Sequence, residues 1–157
     1  MKASYLKFII TLAVFLTSGL AQADYWVFAG TNCMEKNDSS PDMYYRYTVA
    51  YNNSSSATKT VVCPLSLDNT NLFQDSVYIG VLDNHPTLAV ECTLYEASIY
   101  GGTERQGDTK ASGGTGGTEL SLGKVSYYTN SQAYIECTVP PTSSGSMSGI
   151  SGYEINN

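Results

Sequence analysis

After residue 24, hydrophobic and polar residues alternate with a period of two along most of the chain, and that alternation predicts strands. "SVYIGVL" (residues 76–82) sends Val77, Ile79 and Val81 to one face. "TLAVECTLYEASIY" (87–100) puts Leu88, Val90, Cys92 and Leu94 on one face, with Ala89, Glu91, Thr93 and Tyr95 on the other. "QAYIECTVPP" (132–141) does the same with Ala133, Ile135, Cys137 and Val139. "DYWVFAG" (24–30) predicts a first strand. "MYYRYTVAYNN" (43–53) predicts a single second one, with Tyr45, Tyr47, Val49 and Tyr51 on one face and Tyr44 opposite in phase. "TKTVVCPL" (58–65) reads as a strand stopped by Pro64, which has no N–H for a ladder. "LSLGKVSYYT" (120–129), bending at Gly123, and "ISGYEIN" (150–156) complete the set.

The breaks are equally informative. "DNHPT" (83–87) reads as a hairpin loop, because Asp and Asn side chains bond nearby backbone amides and a residue before proline is held extended. "GGTERQGDTKASGGTGGTE" (101–119) reads as a mobile connection. No long stretch carries apolar residues at helical spacing. Seven or eight short strands with one apolar face each bury those faces by packing as two sheets. The expected fold class is therefore all-β, a two-sheet antiparallel β-sandwich, of which the jelly roll is one form.

The N-terminus changes the picture of where this fold works. Lys2 and Lys7 precede the apolar run "FIITLAVFL" (8–16), and "AQA" (21–23) has the small-x-small form of a cleavage site. Residues 1–23 thus read as a secretory signal peptide, too short in its apolar part to span a bilayer, and residues 24–157 as a single β-sandwich domain. The expected location is periplasmic or secreted, with no transmembrane segment in the mature chain. The signal holds two of the eight basic residues and none of the 14 acidic ones, so the mature domain is strongly acidic. An acidic domain repels phosphate backbones, which excludes nucleic acid as the expected partner.

Export also gives the cysteines a reading. Cys33, Cys63, Cys92 and Cys137 are an even set in an exported chain, which predicts two disulfides and three possible pairings. Cys92 and Cys137 sit on the apolar face of alternating strands in near-identical contexts, "VECTL" and "IECTV". Strand phase therefore favours Cys92 with Cys137 and Cys33 with Cys63. No C-x-x-C is present, and one histidine adds little to a metal site, so no metal or cofactor is expected.

Several phrases carry a resemblance across nearly the whole mature chain. They are "TNC" (31–33), "VVCPL" (61–65), "VYIGVLDNH" (77–85), "VECTLY" (90–95), "LSLGKVSYY" (120–128), "YIECTVPP" (134–141) and "GYEI" (152–155). In these the chain resembles a group of small exported bacterial proteins. The resemblance implies a disulfide-stapled β fold and no particular activity.

Candidate chemistry is sparse. His85, the one histidine, lies two residues from Asp83, but no G-x-S-x-G accompanies them, so a structural turn is the simpler reading. Glu91 and Glu136 each precede a core-phase cysteine and so point outward; a close pair of carboxylates in a cleft would suit glycoside hydrolysis. The loop aspartates Asp38, Asp42, Asp68, Asp75 and Asp83 lack calcium-loop spacing. "GGTGG" (113–117) lacks the Lys-Ser/Thr of a phosphate loop. Tyrosine is the distinctive residue, 13 against four Phe and one Trp. A tyrosine joins an apolar ring to a polar tip and suits binding surfaces. Tyr44, Tyr95, Asp83 and His85 are the candidate ligand-binding residues. The expected role is a non-catalytic binding module for an extracellular glycan or protein. The alternatives are a small secreted hydrolase using Glu91 and Glu136, or an envelope structural subunit.

Overall fold

Each alternating segment becomes a strand, because a period-two apolar pattern can hide its hydrophobic side only against a second sheet. The computed structural model describes residues 25–36, 42–65, 73–98, 100, 105–126 and 131–156. Among the described residues eleven strands run in order: β1 (Tyr25–Ala29), β2 (Met34–Glu35), β3 (Met43–Arg46), β4 (Val49–Asn52), β5 (Lys59–Leu65), β6 (Phe73–Asp83), β7 (Glu91–Ser98), β8 (Arg105–Ala111), β9 (Gly116–Ser126), β10 (Ser131–Val139) and β11 (Gly149–Asn156). A 3-10 turn, Gly30–Asn32, follows β1. One sheet has the order β3-β4-β11-β6-β9, with β1 sharing the β4 edge of β11; the other has the order β2-β5-β10-β7-β8. From β4 onward the pairs β4·β11, β5·β10, β6·β9 and β7·β8 nest inside one another, all antiparallel. That nesting, one long hairpin rolled over a core, is a jelly roll. Among the described residues no helix is long and apolar enough to cross a membrane.

The core lies between the sheets. Val77, Ile79 and Val81 of β6, Ile150, Tyr153 and Ile155 of β11 and Leu120 and Leu122 of β9 face Val61, Leu94, Ile135 and Val139 from the second sheet, and all are buried. Both disulfides lie within that second sheet. Cys92 and Cys137 stand directly opposite each other on β7 and β10, with Cα atoms 4.1 Å apart. Cys33, at the entry to β2, is bridged to Cys63 of β5, Cα to Cα 4.0 Å. All four are fully buried.

Two polar devices hold the sheets to their connections. The Tyr153 hydroxyl on β11 crosses the core and donates to the Pro64 carbonyl on β5 at 2.8 Å, while its ring stacks on Phe28, centroids 5.0 Å apart. Lys59, at the start of β5, bonds Glu35 at 2.9 Å and Asp42 at 3.1 Å, tying β2 and the approach to β3 to the same strand.

These contacts set an alkaline limit. Hydrogen bonding to Glu35, then to Asp42, holds the Lys59 pKa above its ordinary 10.5, and burial pushes the Tyr153 phenol above its ordinary 10.0 despite a bond to Asn32. Both groups keep their protons more tightly folded than unfolded. Their contribution is whole below those ordinary values and is lost as pH rises through the folded ones. Thermal melts should show a constant midpoint from pH 8 to 9.5 and a fall beyond pH 10, with a smaller fall in Tyr153→Phe. A midpoint unchanged to pH 11.5 would contradict this.

The structure departs from the sequence expectations at particular places. Residues 43–53 are not one strand but the β3–β4 hairpin, turning at Tyr47 and Thr48 with Tyr47 at φ 55°. The buried face of β4 is Ala50 and Asn52, and Tyr44 shares the outer face with Tyr51 rather than standing opposite to it in phase. Residues 83–87 do not close a hairpin: β6 and β7 belong to different sheets, and the segment crosses from one to the other. Leu88, in that crossing, is 47% exposed rather than inward. The segment 101–119 contains β8 and the start of β9. β5 continues through Pro64 to Leu65, because β2 pairs only with Val62 and Val61 and asks no N–H of Pro64. Gly123 does mark a bulge, with φ 86° and the register shifting against β6. The signal segment 1–23, Asp38 and Asp68 lie outside the described residues.

Candidate functional site

The hairpin turn at Tyr47 is what creates an aromatic surface on the outside of the β3-β4-β11-β6-β9 sheet. It brings Tyr44 and Tyr51 into direct register on neighbouring strands, rings 6.5 Å apart and tilted by 30°. Tyr51 in turn opposes Gly149 of β11. A side chain at Gly149 would meet the Ala50 carbonyl oxygen at 2.5 Å and Tyr51 Cδ1 at 3.1 Å, so the glycine is what lets the Tyr51 ring lean across the strand. The row continues through Leu82 of β6 to Gly117 of β9. The adjacent row holds Gly152, Gly80 and Glu119. Four positions of this face, Gly80, Gly117, Gly149 and Gly152, therefore carry no side chain. The result is a glycine-rich strip across β11, β6 and β9, about 10 Å wide at about 4.8 Å per strand, interrupted by Leu82 and with the Ser151 hydroxyl beside Gly80. Tyr44 and Tyr51 stand at one end of it, and Glu154, Tyr78 and Ser121 border one side. Tyr44 is 45% exposed. At the hairpin tip the Arg46 guanidinium lies over the exposed Tyr47 ring, 5.1 Å from its centre.

The outer face of the second sheet has its own aromatic row. Pro64, Tyr134, Tyr95 and Gln106 stand in register across β5, β10, β7 and β8. Tyr95 and Tyr134 stack with centroids 5.2 Å apart and planes 11° from parallel. Both are half-buried, between the exposed Pro64 and Gln106. The neighbouring row is polar: Thr93 and Thr109 share a hydroxyl hydrogen bond of 2.8 Å, and Glu136 pairs with Lys36 at 2.5 Å. Thus the structure places two of the sequence candidates, Tyr44 and Tyr95, on opposite faces of the sandwich.

Glu91 and Glu136 share the outer face of the second sheet, on adjacent strands one row apart. Concavities of about 180 and 450 Å³ lie along the open side between β8 and β9, and neither glutamate lines them. Paired-carboxylate hydrolysis needs both groups around one bound sugar, whereas Glu136 is held in an ion pair by Lys36.

Asp83 and His85 have structural employment. The Asp83 carboxylate is buried at the end of β6, where it accepts from the His85 N–H at 3.0 Å, from the Ser148 hydroxyl at 3.4 Å and from the Ser112 hydroxyl. Ser112 also accepts from the Val90 N–H at 2.9 Å. His85 Nδ1 accepts from the Leu88 N–H at 2.9 Å and from the Thr87 N–H at 3.3 Å. Together they fix the crossing from β6 to β7 and its neighbours at one end of the sandwich. Among the described residues no three of His, Cys, Asp and Glu cluster so as to hold a metal ion.

No protein-family model matches the chain, and no curated protein matches it in sequence. Its backbone is similar to solved structures. One is the CBM36-1 domain of a multidomain xylanase from the hindgut metagenome of Trinervitermes trinervoides, at TM-score 0.55 and 12% identity, covering 85% of this chain and 98% of that one. Another is a carbohydrate-binding module, CBM36, solved with calcium and xylotriose, at TM-score 0.51 and 9% identity, covering 84% and 99%. The fold is the β-sandwich of these modules. The match spans nearly their whole length, so it describes a complete domain rather than a shared motif.

Sequence reasoning singled out Tyr44 and Tyr95 but not their ring partners Tyr51 and Tyr134. The signal for the strip was present in "VYIGVL" and "GISGYEI", where glycines interrupt strands on the non-core phase. Glycine inside a strand marks close approach of something to the backbone.

Proposed function

We propose that this protein is an exported, non-catalytic glycan-binding module whose ligand lies on the outer face of the β3-β4-β11-β6-β9 sheet. The observation that carries the reading is the Tyr44–Tyr51 pair at the end of a glycine-rich strip. Aromatic rings take the apolar C–H face of a pyranose, and glycines beside them leave room for a linear chain to approach the backbone. The likeness to carbohydrate-binding modules supports the same class, as two buried disulfides and the leader-like N-terminus support a place outside the cytoplasm. Glu119 and Glu154 beside the strip, and the acidic charge of the chain, favour an uncharged glycan over an anionic one. The ion pair that holds Glu136 to Lys36 speaks against paired-carboxylate hydrolysis. Self-assembly through the β8 edge has little support either, because Arg105, Asp108 and Lys110 charge that edge against strand addition.

Affinity electrophoresis through a panel of neutral and anionic polysaccharides tests this. The wild-type chain should be retarded by a neutral one. Tyr44→Ala with Tyr51→Ala should weaken retardation at least about tenfold, as removal of one or two stacking contacts implies, with an unchanged circular dichroism spectrum. Retardation by no polysaccharide, or by anionic ones alone, would refute the assignment.

A further inference from the structure

The two tyrosine pairs point in opposite directions. Tyr44 and Tyr51 stand on the outer face of one sheet, and Tyr95 and Tyr134 stand on the outer face of the other. We infer that the Pro64–Tyr134–Tyr95–Gln106 row is a second surface for a neutral glycan chain, and that one copy of this protein bridges two chains.

The second row has the chemistry of the first in a different form. Tyr134 and Tyr95 are held upright by each other, which fixes their orientation without an added ordering cost on binding. The ring of Pro64 extends the apolar surface on one side, and the Gln106 amide supplies a donor and an acceptor on the other. These four in-register positions span about 14 Å across four strands. Of the nearby charges, Glu136 is paired with Lys36 and Asp108 with Lys110, so the surface favours an uncharged partner. In the adjoining row the Thr93 and Thr109 hydroxyls bond each other.

Geometry then decides between one ligand and two. The inner faces of the sheets are packed about 10 Å apart, so the two outer faces are separated by the full thickness of the sandwich. A stiff linear glycan cannot turn round its edge to meet both. Linked sites that one ligand cannot engage together give no avidity on that ligand, but they cross-link separate ones. The inference rests on the glycan-binding reading and adds bridging to it.

The test is turbidity and calorimetry with the full mature chain, at concentrations where ultracentrifugation finds a monomer. The probe is a soluble neutral polysaccharide that the wild type retards on, together with a short oligosaccharide of it. The wild type should precipitate the polysaccharide, with a maximum at an intermediate ratio of protein to chain, and should bind two oligosaccharides per chain. Tyr95→Ala with Tyr134→Ala should abolish precipitation and leave one oligosaccharide per chain with Tyr44 and Tyr51 intact. Tyr44→Ala with Tyr51→Ala should abolish precipitation equally. Binding of a single oligosaccharide by the wild type, or precipitation that survives loss of the Tyr95 pair, overturns the bridging inference and leaves the binding reading standing. A wild type that binds no glycan overturns both. Circular dichroism on each double variant separates loss of a surface from loss of the fold.

Discussion

Removing the Cys92–Cys137 bridge, as Cys92→Ala with Cys137→Ala, is expected to lower the unfolding free energy by about 2–5 kcal/mol. The bridge closes 45 residues and its companion Cys33–Cys63 closes 30. In the chain-entropy account each contributes about 3.5–4 kcal/mol through the unfolded ensemble. Against a typical net stability of about 5–15 kcal/mol, either loss is large and both together should prevent folding. The bridges are also concentrated: both lie in the β2-β5-β10-β7-β8 sheet, one tying β7 to β10 and the other tying the start of β2 to β5. They secure one half of the sandwich, while the other sheet relies on the apolar side chains of β6 and β11. Because all four sulfurs are buried, thiols in the native solvent should reduce neither bridge until the sheet opens. Urea unfolding of the variant, and the rate of reduction with and without urea, measure this. A variant within 1 kcal/mol of wild type, or fast reduction without denaturant, would contradict it.

Asn52→Asp is expected to destabilise the domain by about 3–5 kcal/mol, a fall of roughly 10–20 °C in melting temperature. Asn52 is fully buried at the end of β4. Its side-chain amide nitrogen donates to the carbonyls of Ala57 and Val139 at 2.9 Å and of Pro140 at 3.0 Å. Its side-chain oxygen accepts from the Ser54 N–H at 2.9 Å, and its backbone N–H donates to the Ser148 carbonyl at 3.0 Å. One residue thus ties the crossing from β4 to β5 to the crossing from β10 to β11. Aspartate keeps the shape and the bond to Ser54 but turns an oxygen toward three carbonyl oxygens, with no donor among them, in a fully buried place. Asn52→Ala should cost less, since it removes the donor without adding a repelling acceptor. Differential scanning calorimetry of the two variants gives the order. An aspartate variant as stable as the alanine one would show that the hub is not held by this amide.

The residues that were legible in the sequence are those whose local pattern and global role agree. Val77, Ile79 and Val81, or Ala133, Ile135, Cys137 and Val139, alternate with polar neighbours and do face the core. The in-phase positions of Cys92 and Cys137 made them natural partners, and the sheet sets them opposite each other. The β3–β4 hairpin was illegible because its turn uses Tyr47 at positive φ where the usual glycine or asparagine signal is missing. β8 was illegible because every one of its seven residues is exposed, so no apolar alternation marks it. Asp83 and His85 show the subtler case. Their local chemistry, an aspartate accepting from an amide two residues on and a histidine before proline, was read as a hairpin loop; the local bond forms, but the segment does not close a hairpin. That the turn leads to the other sheet rather than back along the same one depends on β10, some 40 residues later, pairing with β7.

By itself, then, the sequence determined what each short segment has in common with its neighbours in the chain: strand phase, the inward set, the stapling cysteines, the acidic charge and the leader-like start. These depend on side-chain alternation and composition, which are local. Tertiary structure alone decided which strands pair, that Tyr51 joins Tyr44 over Gly149, and that Tyr95 and Tyr134 stand on the opposite face. Those are facts of register between strands distant in the chain, and a period of two is the same whichever partner it meets.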